Sequence, residues 1–345
     1  MNFKLLKTIV EIPGISSREE QVRAFVIKEI KGLVDSIEID NLGNIIALKK
    51  GKSPKKLMVG AHMDEIGFIV KHIDDKGFIR FHTVGGFDPK TLTSMRVKVH
   101  GKKELLGVMG SKPIHVMNAA ERVKAPAIED YFIDLGLPKK EIEKYIEIGN
   151  QITRVGDLEE MGNCVMGKSL DNRVAVYILI ETLKSLKGKK IPYDFYAVFT
   201  TQEEIGLRGA KVATLKIQPD FGFGLDTTIA FDVPGSREYE QCTKLGEGTG
   251  IKIMDSSVMC DPRMIAFMKE VAIKNKIKWQ AELLTGGGTD TGGIQQMTAG
   301  GSIVGAISVP TRHIHQTVET IHKADIDASI ELLTKCVESI DTYKW

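Results

Sequence analysis

Five short clusters carry residue types suited to hydrolytic chemistry. They are His62-Met63-Asp64, Ser169-Leu170-Asp171-Asn172-Arg173, Thr201-Gln202-Glu203-Glu204-Ile205-Gly206, Leu225-Asp226-Thr227-Thr228 and Arg312-His313-Ile314-His315-Gln316. Imidazole and carboxylate donors without cysteine suit a catalytic Zn²⁺ or Co²⁺ site better than a structural zinc. Two such ions roughly 3.5–4 Å apart need a bridging carboxylate and further imidazole or carboxylate ligands for each. Hydrolysis also needs a carboxylate free of metal, to take a proton from water and pass it to the leaving group. The Glu203-Glu204 pair offers both functions, because adjacent residues in extended chain point opposite ways. Taken singly, each cluster has a plainer reading. His62-x-Asp64 alone is a solvated pair, Asp171 alone is best read as a helix N-cap, and Glu203-Glu204 alone is an acidic turn. Asp226 alone is a turn residue and His315 a loop histidine. Their joint occurrence reverses that balance.

The clusters are far apart in sequence, so a fold must bring them together. Leu5, Leu6, Ile9 and Val10 repeat at helical spacing, and Pro13-Gly14 ends that helix. Ser17-x-x-Glu20 reads as a capping box before a second helix with Val22, Phe25, Val26, Ile30 and Leu33 on one face. Ile37 to Leu48 reads as a hairpin, Gly51 to Lys56 as a polar turn, and a strand begins at Leu57. From Lys71 to about Gly162 short strands alternate with glycines and turns, which fits a β-rich module inserted into an α/β domain. From Cys164 the α/β pattern resumes: helices over 171–186, 206–215, 264–274 and 325–343, and strands over 193–200, 221–225, 279–284 and 302–309. The expected fold class is therefore α/β, a mixed sheet sandwiched by helices. The expected domains are 1–69 with 164–345, and the insert 70–163. Four clusters follow an apolar strand-like run, and Asp171 opens a helix. In open α/β sheets, ligands bind outside the carboxyl ends of strands, which would gather all five in one crevice.

Composition narrows the function class. A formal net charge of +2 over 345 residues, with acids and bases interspersed, argues against a nucleic-acid binder. No apolar run reaches the length of a membrane span, and the N-terminus lacks the features of a signal peptide. Cys164, Cys242, Cys260 and Cys336 have no paired spacing and read as reduced, buried thiols of a cytoplasmic protein.

The motifs resemble those of the M42 metallopeptidases, the tetrahedral (TET) aminopeptidases within the co-catalytic di-zinc peptidases. The resemblance runs from Ile12-Pro13-Gly14-Ile15-Ser16-Ser17 through His62-Met63-Asp64-Glu65-Ile66-Gly67 to Pro310-Thr311-Arg312-His313-Ile314-His315. It implies that His62 and Asp226 bind one metal, Glu204 and His315 the other, and that Asp171 bridges them. It makes Glu203 the general base and Asp64 the partner that holds His62. It implies a PDZ-like β-barrel as the inserted dimerisation domain, a homododecamer built from dimers, and a cis peptide at Asp171-Asn172. The expected activity is removal of N-terminal residues from short peptides, with two divalent ions per subunit. Gly286-Gly287-Gly288-Thr289-Asp290 lacks the Gly-Lys-Ser/Thr ending of a phosphate loop. In this family it looks like a wall of the substrate pocket, which puts Gly287 and Gly288 against substrate.

Two other classes compete. Some relatives carry an endoglucanase name, and a metal-independent glycoside hydrolase needs two metal-free carboxylates flanking a sugar. A non-catalytic scaffold would tolerate loss of Glu203 or a ligand, and all are present. No Gly-x-Ser-x-Gly elbow supports a serine hydrolase. The remaining histidines take structural readings. His72, His82 and His100 face solvent or a subunit interface, His322 caps a helix, and His115 lies in a loop. His313, in a strand, would point away from His315.

Overall fold

Alternating apolar residues on the central strands serve two separate cores. In Ser53–His62, Leu57 and Val59 face a 49-residue core while Met58 faces a second, smaller one. Ala197 and Phe199 likewise oppose Val198 in the Tyr193–Thr200 strand. A strand buried on both faces needs helices on both sides, and the computed structural model, which describes residues 1–345, supplies them. The sheet has eleven strands. At its centre Tyr193–Thr200, Ser53–His62, Phe221–Ile229 and Ile303–Arg312 run parallel in that order. Antiparallel partners flank them, including Ile45–Lys49 on one side and Glu319–His322 on the other. The expected mixed α/β sheet between helices is what the chain forms.

The helix Leu170–Ser185 is buried along nearly its whole length. A helix apolar on all sides must sit inside a core. It packs against Phe3–Glu11, Lys323–Ser339 and the sheet. Its first turn holds Arg173, whose guanidinium donates to the carbonyls of Ile9 (2.7 Å), Ile12 (2.8 Å), Gly14 (3.2 Å) and Met63 (2.6 Å). One buried cation thus satisfies the chain end of the first helix and the backbone that follows His62. On the other face, Asp290–Gln296 lies close on the sheet because Gly224 has no side chain. A Cβ there would stand 1.9 Å from Thr291 Oγ1.

The inserted segment folds as a closed six-stranded barrel. Gly67–Ile73, Ile79–Val84, Phe132–Asp134, Glu104–Gly110, Arg96–His100 and Gln151–Arg154 follow one another around it, and every pairing is antiparallel. Closure removes exposed strand edges, and Phe68, Val70, Phe81, Val97, Val99 and Ile152 fill the interior. Barrel strands run from Gly67 to Arg154, and Glu159–Met161 already pairs within the large sheet.

Several local readings are corrected. Ser17 caps nothing: the second helix spans Glu20–Ile30, and the Glu19 carboxylate instead accepts the N–H of Ser17 (2.9 Å) and of Gln202 (3.1 Å). The strand read as starting at Leu57 begins at Ser53, so the polar turn is part of the sheet edge. Thr249–Met254, Glu319–His322 and Asp290–Gln296 were not legible as elements. Cys164 and Cys242 are only partly buried, unlike Cys260 and Cys336.

Replacing Arg173 by Leu should lower stability by about 3–5 kcal/mol, because it strands buried polar groups and leaves Glu65 short of a counter-charge. Chemical denaturation would measure this, and an unchanged midpoint would contradict the role given to Arg173.

Candidate metal centre

The carboxyl ends of the central strands deliver the site. His62 ends Ser53–His62 and lies level with Thr200 of the neighbouring strand. The chain beyond Thr200 turns through Gln202, with φ 55°, and presents Glu203 and Glu204. Asp226 does not follow its strand, as the sequence suggested, but sits inside Phe221–Ile229, level with Ser308. His315 lies beyond Ile303–Arg312 in a loop where His313 and His315 both have positive φ, 65° and 60°. His313 is therefore not in a strand, and it lines the same cleft as His315. Asp171 is not an N-cap. Its backbone is extended (φ −77°, ψ 107°), the Asp171-Asn172 peptide is cis, and its side chain faces the imidazoles.

Asp171 presents one oxygen to each histidine: Oδ1 is 3.5 Å from His62 Nε2, and Oδ2 is 3.3 Å from His315 Nε2. Around His62 Nε2 stand Asp226 Oδ1 at 3.7 Å and Glu203 Oε2 at 3.8 Å. Glu204 Oε2 is 3.4 Å from His315 Nε2. His62, Asp171 and Glu204 bring ligand atoms within 4.8 Å of one another, as do His62, Glu203 and Asp226. The expected ligands are thus together, and both glutamates face the same small volume.

The His62 ring is held from behind. Its Nδ1–H donates to the Asp64 carbonyl at 3.1 Å, and Asp64 Oδ1 lies 3.5 Å from Nδ1. A carbonyl only accepts, so Nδ1 carries the proton and Nε2 is turned to the acids. The Asp64 carboxylate does more than the sequence suggested. It accepts the hydroxyl of Ser16 (2.6 Å) and the backbone N–H of Glu203 (3.1 Å) and Glu204 (3.2 Å). It therefore ties the His62 strand to the glutamate turn. Burial opposes its ionisation, yet His62, Ser16 and those N–H groups hold its pKa below the ordinary value.

Electrostatics follow from crowding acids in a dry place. Burial first, then neighbouring carboxylates, raise Glu203, Glu204 and Asp226 above ordinary carboxylate values. Burial alone would lower both histidines, but the acids dominate. Glu203, Asp171 and Asp226 push His62 up, and hydrogen bonds with Asp171 and Glu204 raise His315 to about 11. Asp171 is driven the other way: burial opposes its ionisation, but His315 and His62 prevail.

Residues outside the five clusters complete the support. Glu319 accepts the backbone N–H of Asp171 at 2.8 Å, and burial brings its carboxyl to about 7. Arg154, from the last barrel strand, lies 3.4 Å from Glu319 and donates to the carbonyl of Gln316 beside His315. Asp290 lies beneath the site, accepts the Thr200 hydroxyl, and is raised to about 7 by burial. Lys168 pairs with the buried Glu65 at 2.7 Å, two residues before Gly67 opens the barrel. Ser16 and Glu319 gave no local signal, because each acts on a residue distant in sequence. Elsewhere, His322 accepts the N–H of Ala324 at the start of the last helix, as expected, and His100 is half-buried against Thr153 (2.8 Å). The cleft over the site has a volume of 860 Å³, and Gly86, Gly287, Gly288 and Thr289 lie in its walls.

Comparison with known proteins agrees with this arrangement. The family model for M42 glutamyl aminopeptidase matches residues 43–332. The chain is 42% identical to a putative aminopeptidase of Acetivibrio thermocellus, over 97% of this chain and 98% of that one. Among solved structures, an aminopeptidase from the archaeon Desulfurococcus kamchatkensis superposes with a TM-score of 0.94 at 36% identity, covering 99% of this chain and 97% of the other. The TET1 peptidase of Pyrococcus horikoshii, which can assemble into a tetrahedron or a large octahedral shell, gives a TM-score of 0.87 at 32% identity, covering 97% and 98%.

Ser16→Ala removes the shortest donor to a fully buried carboxylate and should cost about 1–3 kcal/mol. Thermal or chemical unfolding would show it, and no loss would mean that Asp64 is held by the backbone alone.

Proposed function

The chain belongs to the M42 glutamyl aminopeptidase family, and we propose that it is a two-metal aminopeptidase that releases N-terminal residues from short peptides. Hydrolysis of peptide bonds is the activity of the family. The observation that supports the finer reading is Asp171, with one oxygen toward His62 and the other toward His315. That is the placement a bridging ligand needs. The donor set fits two divalent ions: Asp171, Glu203, Glu204 and Asp226 crowd two imidazoles, and this excess of buried anions calls for compensating cations. In this reading His62 and Asp226 hold one ion, Glu204 and His315 the other, and Asp171 is shared. Zn²⁺ or Co²⁺ suits these donors. Bound there, the metals supply Lewis-acid polarisation of water and of the scissile carbonyl.

The chain's own residues do the rest. Glu203 stands beside His62 Nε2 in a buried position, takes a proton from water and delivers it to the departing amine. Asp64 fixes the His62 ring and, through two backbone N–H groups, the direction of both glutamates. Gly287 and Gly288 let the wall of the cleft come close to bound peptide. The catalytic unit is 1–69 with 164–345, and the insert 70–163 carries the dimer contact. Exposed Leu106, Val108, Ile114, Val116 and Val123 on the insert support a partner surface there. Assembly as a homododecamer built from dimers, in the cytoplasm, completes this reading, and the tetrahedron that the TET1 relative can form supports the assembly. No helix is long and apolar enough to cross a membrane.

Glu203→Gln should reduce kcat by about 10²–10⁴ while elemental analysis still finds two metals per subunit. Turnover near that of the unaltered protein would remove Glu203 as the base. His315→Ala should weaken one of the two metal sites, visible as a second, weaker step in a chelator titration. A single unaltered step would break the assignment of His315.

A further inference from the structure

The chemistry of the cleft walls bears on which N-terminal residue is released. Apart from the acids assigned above to metals and proton transfer, the lining contains one lysine and one arginine, Lys252 and Arg312. Neither is free. Lys252 is fully buried, 2.7 Å from Glu282 and 3.3 Å from Asp255. Glu282 is itself tied to the Thr228 hydroxyl at 2.6 Å. Arg312 is partly exposed, but its guanidinium makes a two-pronged contact with Asp232, Nε to Oδ1 and Nη2 to Oδ2, both 2.7 Å. Such a fork leaves little of the guanidinium charge for another carboxylate. The apolar surface that remains for a substrate side chain is Leu207, Ile229, Phe231, Val233, Leu284 and Ile314, with uncharged threonines and Gln316 among them. Ile229 and Phe231 are 44% and 43% exposed, so they offer apolar surface that nothing in the chain covers. His313 stands exposed in the same lining.

We propose that this cleft accepts an apolar N-terminal side chain, and that the Arg312–Asp232 and Lys252–Glu282 pairs keep it apolar by closing off its two cations. This rests on the aminopeptidase reading above and goes beyond it by naming the substrate class. A lysyl or arginyl side chain finds no uncommitted carboxylate in the walls, and a glutamyl side chain finds no uncommitted lysine or arginine. Either charge would be moved out of water without a partner, which is unfavourable. A leucyl, methionyl or phenylalanyl side chain covers Ile229 and Phe231 and gains from leaving water. The glutamyl preference in the family's description is therefore not expected of this chain.

The test is hydrolysis of leucyl, methionyl, phenylalanyl, lysyl, arginyl, glutamyl and aspartyl p-nitroanilides by the full-length protein with Zn²⁺ or Co²⁺ added. The expected result is a kcat/KM for the apolar substrates that exceeds every charged one by about ten-fold or more. Lysyl or glutamyl release equal to leucyl release would overturn this inference and leave the aminopeptidase reading standing. No release from any substrate, with metal bound, would overturn that reading and this inference with it. Asp232→Asn supplies a second arm, since it removes the charge that closes off Arg312. The glutamyl-to-leucyl ratio of kcat/KM should rise several-fold, read with metal content and folding checked on the same sample. An unchanged ratio would overturn the part given to the Arg312–Asp232 pair.

Discussion

Carboxylates buried close to one another repel, and the site depends on how that repulsion is managed. Asp171, Glu203, Glu204 and Asp226 stand within a few ångströms of two imidazoles in a cleft largely withdrawn from water. Charge in such a place must be paired or neutralised. Asp171 stays ionised because each of its oxygens faces a histidine. Asp64 stays ionised because His62 lies beside it and a hydroxyl and two backbone N–H groups donate to it. Asp290 and Glu319, one shell further out, have single strong donors or a distant cation and sit near the boundary between charged and neutral. The arrangement is uneven: Asp171 and Asp64 are held charged, while burial raises Glu203, Glu204 and Asp226 beside them.

Holding that set in place occupies much of the surrounding structure. Arg173 and Lys168 flank Glu65, and Arg173 also gathers four backbone carbonyls near the His62 strand. A buried ion pair is weak evidence for stability in itself. Here it joins the first helix, the central helix and the strand that carries His62. The barrel takes part as well. Arg154 reaches from its last strand to Glu319 and Gln316, and Gly86 enters the cleft wall against His315. The insert is thus part of the floor and wall of the site, not an appendage tethered beside it.

The same economy of charge shapes the cleft above. Its lysine and arginine each face carboxylates of the chain itself, so the wall left over is mainly uncharged, with Ile229 and Phe231 as exposed apolar surface.

Much of this was legible in residue types and spacing. The clusters that hold His62, Asp171, Glu203, Glu204, Asp226 and His315 were legible as imidazole and carboxylate residues near apolar runs, and the resemblance to the M42 metallopeptidases picked those residues out of them. The mixed sheet between helices followed from runs of strand length alternating with helical periodicity. The inserted barrel followed from its dense glycines and short strands. Local pattern failed where a partner from far along the chain decided the outcome. Ser17 has the spacing of a cap, but Gln202 and Ser17 share Glu19 instead. Asp171 has the position of a cap, but two distant histidines turn its side chain inward. Ser16, Arg154, Lys252 and Glu319 look like ordinary polar residues until the fold buries them against their partners. Residue type and order along the chain thus determined the chemistry available and the class of fold. Only the tertiary structure decided which groups share the buried volume, because burial and distance set whether a charge is kept, shared or closed off.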